Sequence, residues 1–241
     1  MQNFIISSSP HLHSKTTVTT IMADVLIALI PAVVASIYYF GIGSLYIILV
    51  AIASCMLSEL IFEIITKRTK TLHDLSAVVT GVLLALNMPP EIPLWMVMVG
   101  SAFSIIVVKQ IFGGIGKNFM NPALAGRCFM LIAWTGTMTT FSAPHAIDAV
   151  SSATPLGIMK SGSSDNLPSM LDVFLGNISG CIGETSAAAL ILGFLYLLIK
   201  KVVSVKIPLA YILSFAILTF LFGNNTTGMA QWEFTIYQIL T

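Results

Sequence analysis

Long apolar runs, separated by polar and basic clusters, constrain this chain more than any other feature of its sequence. The runs lie at residues 19–40, 43–66, 72–88, 94–108, 123–138, 184–199 and 208–222. A hydrophobic run of about 17–25 residues crosses the hydrocarbon core of a bilayer as a helix. Charged residues make up 9% of the chain, whereas soluble proteins average about 25%. The sequence therefore predicts an all-α polytopic membrane protein.

The basic residues predict the orientation of these spans. With the N-terminus in the cytoplasm, ten of the eleven lysines and arginines fall on the cytoplasmic side, and Lys160 falls outside. Cytoplasmic loops carry an excess of such residues. We therefore expect a multi-pass protein of the cell inner (plasma) membrane, with the polar interval 139–183 outside. The sequence shows no basic patch with interleaved aromatic residues, so no nucleic-acid partner is expected.

The cysteines and glycines of the sequence do not form a known redox motif. Cys55, Cys128 and Cys181 are far apart and form no CxxC pair. A disulfide framework or an iron–sulfur cluster held by this chain alone is therefore not expected. A Rossmann fingerprint for NAD is also missing from the sequence. If electrons pass through the chain, the carrier is organic or is supplied by a partner.

The outer polar interval contains a cluster of hydroxyl side chains, Asp148-Ala-Val-Ser151-Ser152-Ala153-Thr154-Pro155. Its small residues leave the Thr154 hydroxyl where a bulky group could approach the backbone. Serine, threonine and proline are also ordinary turn residues. Considered alone, the cluster is therefore compatible with a plain connecting loop.

Two carboxylates lie within the second apolar run. Glu59 and Glu63 are four residues apart and share one face of a helix. A charge inside a membrane is costly and points to a function. Glu59, the deeper of the two, is the candidate for a cation or proton contact, with a buried hydrogen-bonded structural role as the alternative. For Glu63, an interfacial pair with Lys67 explains the position equally well.

Several other polar residues stand near predicted span ends. Asp24, Asp74 and Glu184 are expected to favour helix N-termini, where the helix dipole stabilises a negative charge. Asn121-Pro122, between two apolar segments, predicts a broken or re-entrant helix of the kind that transporters use.

Five motifs of this sequence resemble the D subunit of Rnf complexes, which are ion-translocating ferredoxin:NAD⁺ oxidoreductases. The B subunit of the sodium-translocating NADH:quinone reductase is a close relative of that family. The motifs are Ser9-Pro10-His11, Ser76-Ala77-Val78-Val79-Thr80-Gly81 with Ala85-Leu86-Asn87 and Pro89-Pro90, residues 113–123, residues 148–157, and Gly183-Glu184-Thr185-Ser186-Ala187. They are spread in the family's order over nearly the whole chain.

The resemblance implies a covalent flavin. In the family, a separate flavin transferase joins the phosphate of FMN to a threonine hydroxyl as an ester, at a pattern similar to Asp-x-x-Ser/Thr-Gly-Ala-Thr. Asp148, Ser151, Ala153 and Thr154 match this pattern, and Ser152 stands where glycine is usual. Thr154 is therefore the expected attachment site. Some relatives also hold a non-covalent riboflavin within the helices.

The resemblance also implies a fold similar to that of urea transporters, with ten helices in two inverted five-helix repeats. On this plan, residues 1–18 form a cytoplasmic segment and 19–138 form the first repeat. Residues 139–183 form the outer loop that carries FMN, and 184–241 form part of the second repeat. About seven of the ten spans are visible, so we expect the chain to be truncated relative to the family.

The implied function is a flavoprotein subunit that relays electrons and couples their flow to Na⁺ or H⁺ transport, without a complete activity of its own. The implied partners are a second FMN-bearing outer subunit, two helical subunits that hold an iron–sulfur centre, cytoplasmic NAD- and ferredoxin-reactive subunits, and membrane lipid. The alternative is a redox-inert channel or transporter for a small solute. The motif at residues 148–154 distinguishes the two, because a plain channel has no need of it.

Overall fold

The computed structural model describes residues 17–67, 71–144, 152–161, 167–223 and 229–241. Within these ranges the chain is helical and contains no β-strand. The helices are α1 (Val18–Phe40), α2 (Ile42–Thr66), α3 (Ser76–Leu86), α4 (Leu94–Phe103), α5 (Pro122–Ala133), α6 (Thr135–Met138), α7 (Pro155–Ser161), α8 (Met170–Leu175), α9 (Ala187–Ile199), α10 (Lys206–Phe222) and α11 (Gln231–Leu240). A 3₁₀ turn, Leu72–Asp74, precedes α3, and α4 continues as a π-helix, Ser104–Gln110.

The first two helices are long and apolar enough to cross a membrane. At about 1.5 Å per residue they extend over about 35 and about 37 Å, more than the roughly 30 Å of the hydrocarbon core. Gly41 joins them with a φ of 74°, a backbone conformation that glycine adopts without strain. Five shorter apolar helices follow. The predicted all-α polytopic fold class is therefore confirmed, whereas the ten-helix inverted repeat stays a prediction.

Close helix contacts hold the two halves of the chain together. α2 packs against α3 and α4, and α1 packs against α9. At Gly81, an added Cβ would lie 2.8 Å from the Cα of Ile52, so only glycine permits the approach of α3 to α2. At Gly193, an added Cβ would overlap the carbonyl oxygen of Ala28. The predicted sixth span is thus fixed against the first by backbone proximity.

The third, fourth and fifth predicted spans differ in detail from the observed helices. The third begins as the 3₁₀ turn and leaves only 11 residues for α3. The fourth extends two residues further than predicted, to Gln110, because of its π-helical end. The fifth breaks at Trp134 into α5 and the short α6. Asn121 caps α5, with its Oδ1 accepting from the backbone N of Ala123 at 2.9 Å.

The predicted outer interval is partly folded into helices. α7 and α8 lie beside α11 around a small apolar cluster made up of Met159, Val173, Ile178, Phe234 and Tyr237. The hydroxyl of Tyr237 donates to the carbonyl of Pro168 at 3.2 Å. The end of the chain therefore packs against the interval that contains Thr154.

Asp74 and Asp24 illustrate two outcomes for the acids near span ends. Asp74 lies just before α3, and its Oδ1 accepts from the backbone N of Ser76 at 2.8 Å, as predicted. Asp24 lies inside α1, so the prediction that it favours a helix start is wrong. Its carboxylate accepts from the Tyr196 hydroxyl at 2.9 Å and lies 3.6 Å from Nζ of Lys200. Partners from the last third of the chain, invisible to local pattern, determine its position.

Candidate functional site

Thr154 lies at the start of α7, directly before Pro155. Its Oγ1 accepts a hydrogen bond from the backbone N of Gly157 at 3.3 Å. The side chain is half-buried. A Cβ added to Gly157 would lie 3.4 Å from the same oxygen. The glycine therefore leaves space beside the Thr154 hydroxyl that any other residue would reduce.

The residues before Thr154 are tied to the segment 177–186. The backbone N of Ser152 donates to the carbonyl of Phe141 at 2.8 Å, and the hydroxyls of Ser152 and Ser179 are hydrogen-bonded to each other. Ser152 has no positive φ, so serine is compatible with the position where the family usually has glycine. Ala153 is exposed. Asp148 and Ser151, also predicted for this motif, lie outside the described residues.

A cavity of about 180 Å³ opens beside Thr154. Its walls combine apolar side chains with the polar segment that follows α8, and they include Phe141, Thr154, Leu156, Ser179, Gly180 and Glu184. Glu184 does not cap α9, contrary to prediction, because α9 begins after Ser186. Its Oε1 accepts from the backbone N of Cys181 at 2.9 Å. The exposed Glu184 carboxylate is thereby held at the cavity wall.

Two titratable groups of the predicted outer interval have shifted pKa values. The Ser169 hydroxyl, at 2.6 Å, and then the Asn177 amide hold the pKa of the half-exposed Asp172 carboxyl below its ordinary value. Burial raises the pKa of the Cys181 thiol to about 12. The interval therefore presents an ionised carboxylate at Asp172 and a neutral thiol at Cys181 at neutral pH.

Arg127 joins the outer interval to the helix bundle. Its guanidinium donates to Oδ1 of Asn87 at 2.9 Å and to Sγ of Cys181 at 3.3 Å. Nearby, the backbone N of Gly183 donates to the carbonyl of Leu86 at 2.8 Å. These contacts place Arg127 beside the predicted outer interval, and the orientation of the spans stays a prediction. The partners of Arg127 all belong to the C-terminal end of α3 and to the segment that docks there.

A second polar site lies inside the bundle, on α2. Glu59 is fully buried. Its Oε1 accepts from Nζ of Lys109 at 2.7 Å, from Nε2 of Gln110 at 2.6 Å and from Oγ1 of Thr71 at 3.0 Å. This arrangement matches the hydrogen-bonded alternative for Glu59, and it adds a buried ion pair that local sequence does not reveal.

Lys109 directly follows the fourth apolar run, and its side chain points into the helix bundle. The side chain is only 2% exposed. The π-helical stretch widens the helix here, a feature frequent at functional sites, and places Lys109 and Gln110 together on Glu59. The ammonium also donates to Oγ of Ser76 at 2.5 Å, and this hydroxyl donates to Asp74 at 2.5 Å.

Glu63 is buried as well, at 2% exposure. Its Oε1 accepts from the backbone N of Thr71 at 2.9 Å and lies 2.5 Å from the Thr71 hydroxyl. The alternative pair with Lys67 is not formed: the two ion pairs of the described residues are Lys109–Glu59 and Lys200–Asp24. The Oε2 atoms of Glu59 and Glu63 are both buried without a hydrogen-bond partner.

A cavity of about 260 Å³ adjoins this cluster. Ser76, Thr80, Lys109 and Asn118 contribute to its wall. Oδ1 of Asn118 is buried and has no hydrogen-bond partner. Asn118, one of the lining residues, therefore carries a buried acceptor atom without a partner.

Comparison with known proteins identifies the family of the chain. Residues 5–241 match the model of the NQR2, RnfD, RnfE family. The chain belongs to this family. The resemblance inferred from the motifs is thereby confirmed.

Individual relatives agree with this assignment. The D subunit of the Na(+)-translocating ferredoxin:NAD(+) oxidoreductase complex of Acetobacterium woodii is 45% identical over 225 residues, which cover 92% of this chain and 71% of the relative. The D subunit of the proton-translocating ferredoxin:NAD(+) oxidoreductase complex of Clostridium ljungdahlii is 40% identical over 233 residues, with 92% and 70% covered. The D subunit of the ion-translocating oxidoreductase complex of Escherichia coli (strain SE11) is 32% identical over 269 residues, with 95% and 76% covered.

For this member of the NQR2, RnfD, RnfE family, sequence reasoning located Thr154 and Glu59 but missed the partners of Glu59. Thr71, Lys109 and Gln110 come from two other elements and converge on one carboxylate oxygen. The available signal was a lysine–glutamine pair at the end of an apolar run. Such a pair is also typical of a membrane interface. The sequence of the run alone therefore did not distinguish a position at the interface from one inside the helix bundle.

Proposed function

We propose that the chain is the D-type membrane subunit of an ion-translocating ferredoxin:NAD⁺ oxidoreductase complex. Family membership and the names of three relatives support this assignment. The proposed partners are an outer FMN-bearing subunit, two membrane subunits that hold an iron–sulfur centre, and cytoplasmic NAD- and ferredoxin-reactive subunits. The proposed orientation places the N-terminus in the cytoplasm and Thr154 outside the inner membrane.

The proposal includes FMN bound covalently to Thr154 through a phosphate ester that a flavin transferase forms. The half-buried Thr154 hydroxyl beside an open cavity supports it, together with the space that Gly157 leaves at this oxygen. When bound, FMN supplies one- and two-electron chemistry that no side chain of the site offers. Thr154 tethers the cofactor, and the Ser152–Ser179 contact fixes the loop that bears it.

The mass of the peptide that contains Thr154 tests this proposal. In a complex purified from cells that produce the flavin transferase, we expect the peptide to be heavier by one FMN less one water. Peptides with the other outer hydroxyl residues should have their unmodified mass. An unmodified Thr154 peptide in a fully assembled complex would contradict the attachment, without affecting the family assignment.

A non-covalent riboflavin is a separate proposal. Its isoalloxazine ring carries an N–H donor at N3, and the Asn118 side chain would accept from it after turning its buried Oδ1 toward the cavity. The cavity of about 260 Å³ next to Lys109 is therefore the place at which we propose that this flavin binds.

The buried cluster around Glu59 is the proposed site of ion coupling. Ionisable residues inside a membrane are costly and are retained for function. Both Na⁺ and H⁺ occur in the names of relatives, so family membership does not select one ion.

Glu59→Gln is expected to slow ion-coupled electron transfer several-fold while the flavin content stays normal, because the Lys109 ammonium loses the carboxylate that it contacts at 2.7 Å. Sodium and proton uptake by vesicles that contain the complex would be measured together with flavin content. Unchanged uptake of the coupling ion would remove Glu59 from the mechanism.

A further inference from the structure

Two buried carboxylates of α2 share the hydrogen of one hydroxyl. Oγ1 of Thr71 lies 3.0 Å from Oε1 of Glu59 and 2.5 Å from Oε1 of Glu63. A threonine hydroxyl donates a single hydrogen and accepts through its lone pairs. If both carboxylates were ionised, one of the two oxygen–oxygen contacts would have no hydrogen between its atoms. One additional proton supplies a hydrogen to each contact.

The charges of the cluster also indicate one additional proton. Glu59 and Glu63 are 0% and 2% exposed, and one ammonium, that of Lys109, is buried with them. Counted over the described residues, two ionised carboxylates and one ammonium leave a net charge of −1 in an apolar helix bundle. An uncompensated buried charge is strongly unfavourable. One bound proton makes the cluster neutral, and it is the proton that the hydrogen count requires.

Among residues 17–67 and 71–144, the other titratable groups around the cluster do not supply this positive charge. Asp74, on the 3₁₀ turn, is a half-exposed third carboxylate, and it accepts from Ser76. His73 on the same turn and Lys67 at the end of α2 are exposed. Cys55, on α2, is buried. Within the described residues, Lys109 is the cation that lies within ion-pair distance of either acid of α2.

The hydrogen bonds of the two acids differ. Glu59 accepts from the Lys109 ammonium and from the Gln110 amide, and both donors stabilise its ionised form. Glu63 accepts from the backbone N of Thr71 and has no charged donor among the described residues. We propose that the cluster binds one exchangeable proton, held mainly by Glu63 and shared with the hydroxyl of Thr71.

Thr71 gives this proton a route to solvent. Its residue is exposed, whereas both carboxylates that it contacts are buried. A proton can therefore pass between water and Glu63 through one hydroxyl, without separation of α2 from α3. Glu59 and Lys109 stay as a fixed ion pair behind it. The proposal rests on the ion-coupling role proposed above and moves the exchangeable position from Glu59 to Glu63.

Infrared spectroscopy of the intact complex tests the proposal. A protonated carboxyl group has a C=O stretching band that shifts on exchange into D₂O, and an ionised carboxylate lacks it. We expect Glu63→Gln to remove one such band from the wild-type spectrum. The glutamine variant keeps a neutral cluster, with Glu59 paired to Lys109, so its thermal stability should stay close to that of the wild type.

Two variants of the ion pair serve as matched controls. Glu59→Gln removes one negative charge, so Glu63 becomes the counter-ion of Lys109 and the same band is lost. In Glu59→Gln/Lys109→Met both members of the pair are neutral, and the band is retained. If Glu63→Gln does not assemble, Thr71→Val provides a second measurement. It keeps the backbone donor but removes the shared hydroxyl, so the band should move in frequency without loss of intensity.

Three results would overturn the proposal. A band that persists in Glu63→Gln places the proton on another carboxyl group. A wild-type spectrum that contains no such band means that both acids are ionised. Loss of the band when Na⁺ replaces K⁺ in the buffer means that a sodium ion, not a proton, occupies the position. Each of these results is read from the infrared spectrum alone. Failure of the proton proposal can therefore be distinguished from failure of the proposed ion transport or FMN attachment.

Discussion

Replacing Thr154 with alanine is expected to abolish the flavin fluorescence of the chain after denaturing gel electrophoresis. The effect should be complete, because the ester requires a hydroxyl and alanine offers none. Alanine is not expected to disturb the fold, because within the described part of the chain the Thr154 side chain makes one hydrogen bond, accepted from the backbone N of Gly157. Protein for this measurement would be produced together with its flavin transferase and compared at equal amounts by staining.

Thr140→Ala is the matched control for this experiment. Thr140 also lies in the predicted outer interval and is exposed, and its hydroxyl donates to the carbonyl of Gly136 at 2.7 Å. It should keep full fluorescence. Fluorescence that persists in Thr154→Ala would move the attachment elsewhere. A wild-type chain without any flavin in a transferase-competent preparation would favour the solute channel or transporter instead.

Lys109→Met is expected to destabilise the protein strongly. Methionine has a similar length but leaves Glu59 without its cation, and removing one partner of a buried pair costs about 3–5 kcal/mol. Glu59 is fully buried and Lys109 is 2% exposed, so solvent does little to compensate. The loss would appear as a lower midpoint of thermal unfolding, followed by size-exclusion chromatography of the detergent-solubilised complex.

The double variant Glu59→Gln/Lys109→Met provides the control for this loss. It removes both charges, and a buried pair replaced by neutral groups of similar volume is often as stable as the original. We therefore expect the double variant to recover most of the stability that Lys109→Met loses. A double variant as unstable as the single one would mean that Lys109 acts through packing or through Ser76, rather than as the counter-ion of Glu59.

The proposed attachment site could be named from the sequence because the motif that suggests it is local. Thr154, Ala153 and Ser152 follow one another in the chain, and a transferase that recognises a short motif needs little more than these residues in order. The structure adds what a motif cannot contain, namely the Ser152–Ser179 contact and the cavity beside the hydroxyl. Both depend on a segment more than twenty residues away.

The buried charge cluster could be predicted from the sequence only in part. The four-residue spacing of Glu59 and Glu63 predicted a shared helix face, and both do lie on the buried side of α2. Which of the two glutamates pairs with a lysine was not predictable from the sequence. Lys109, fifty residues along the chain, pairs with Glu59, whereas the nearby Lys67 does not pair with Glu63.

By itself, the sequence determined the class of the protein, the approximate position of most helices, the family and the threonine on which the proposed flavin depends. These follow from hydrophobic run length and from short motifs, which act over neighbouring residues. Only the tertiary structure decided which charges are buried together and that Arg127 contacts the outer interval. The physical reason is that a charge inside an apolar bundle is stabilised by whichever group the packing brings within hydrogen-bond distance. That group lies on another helix, so no local pattern identifies it.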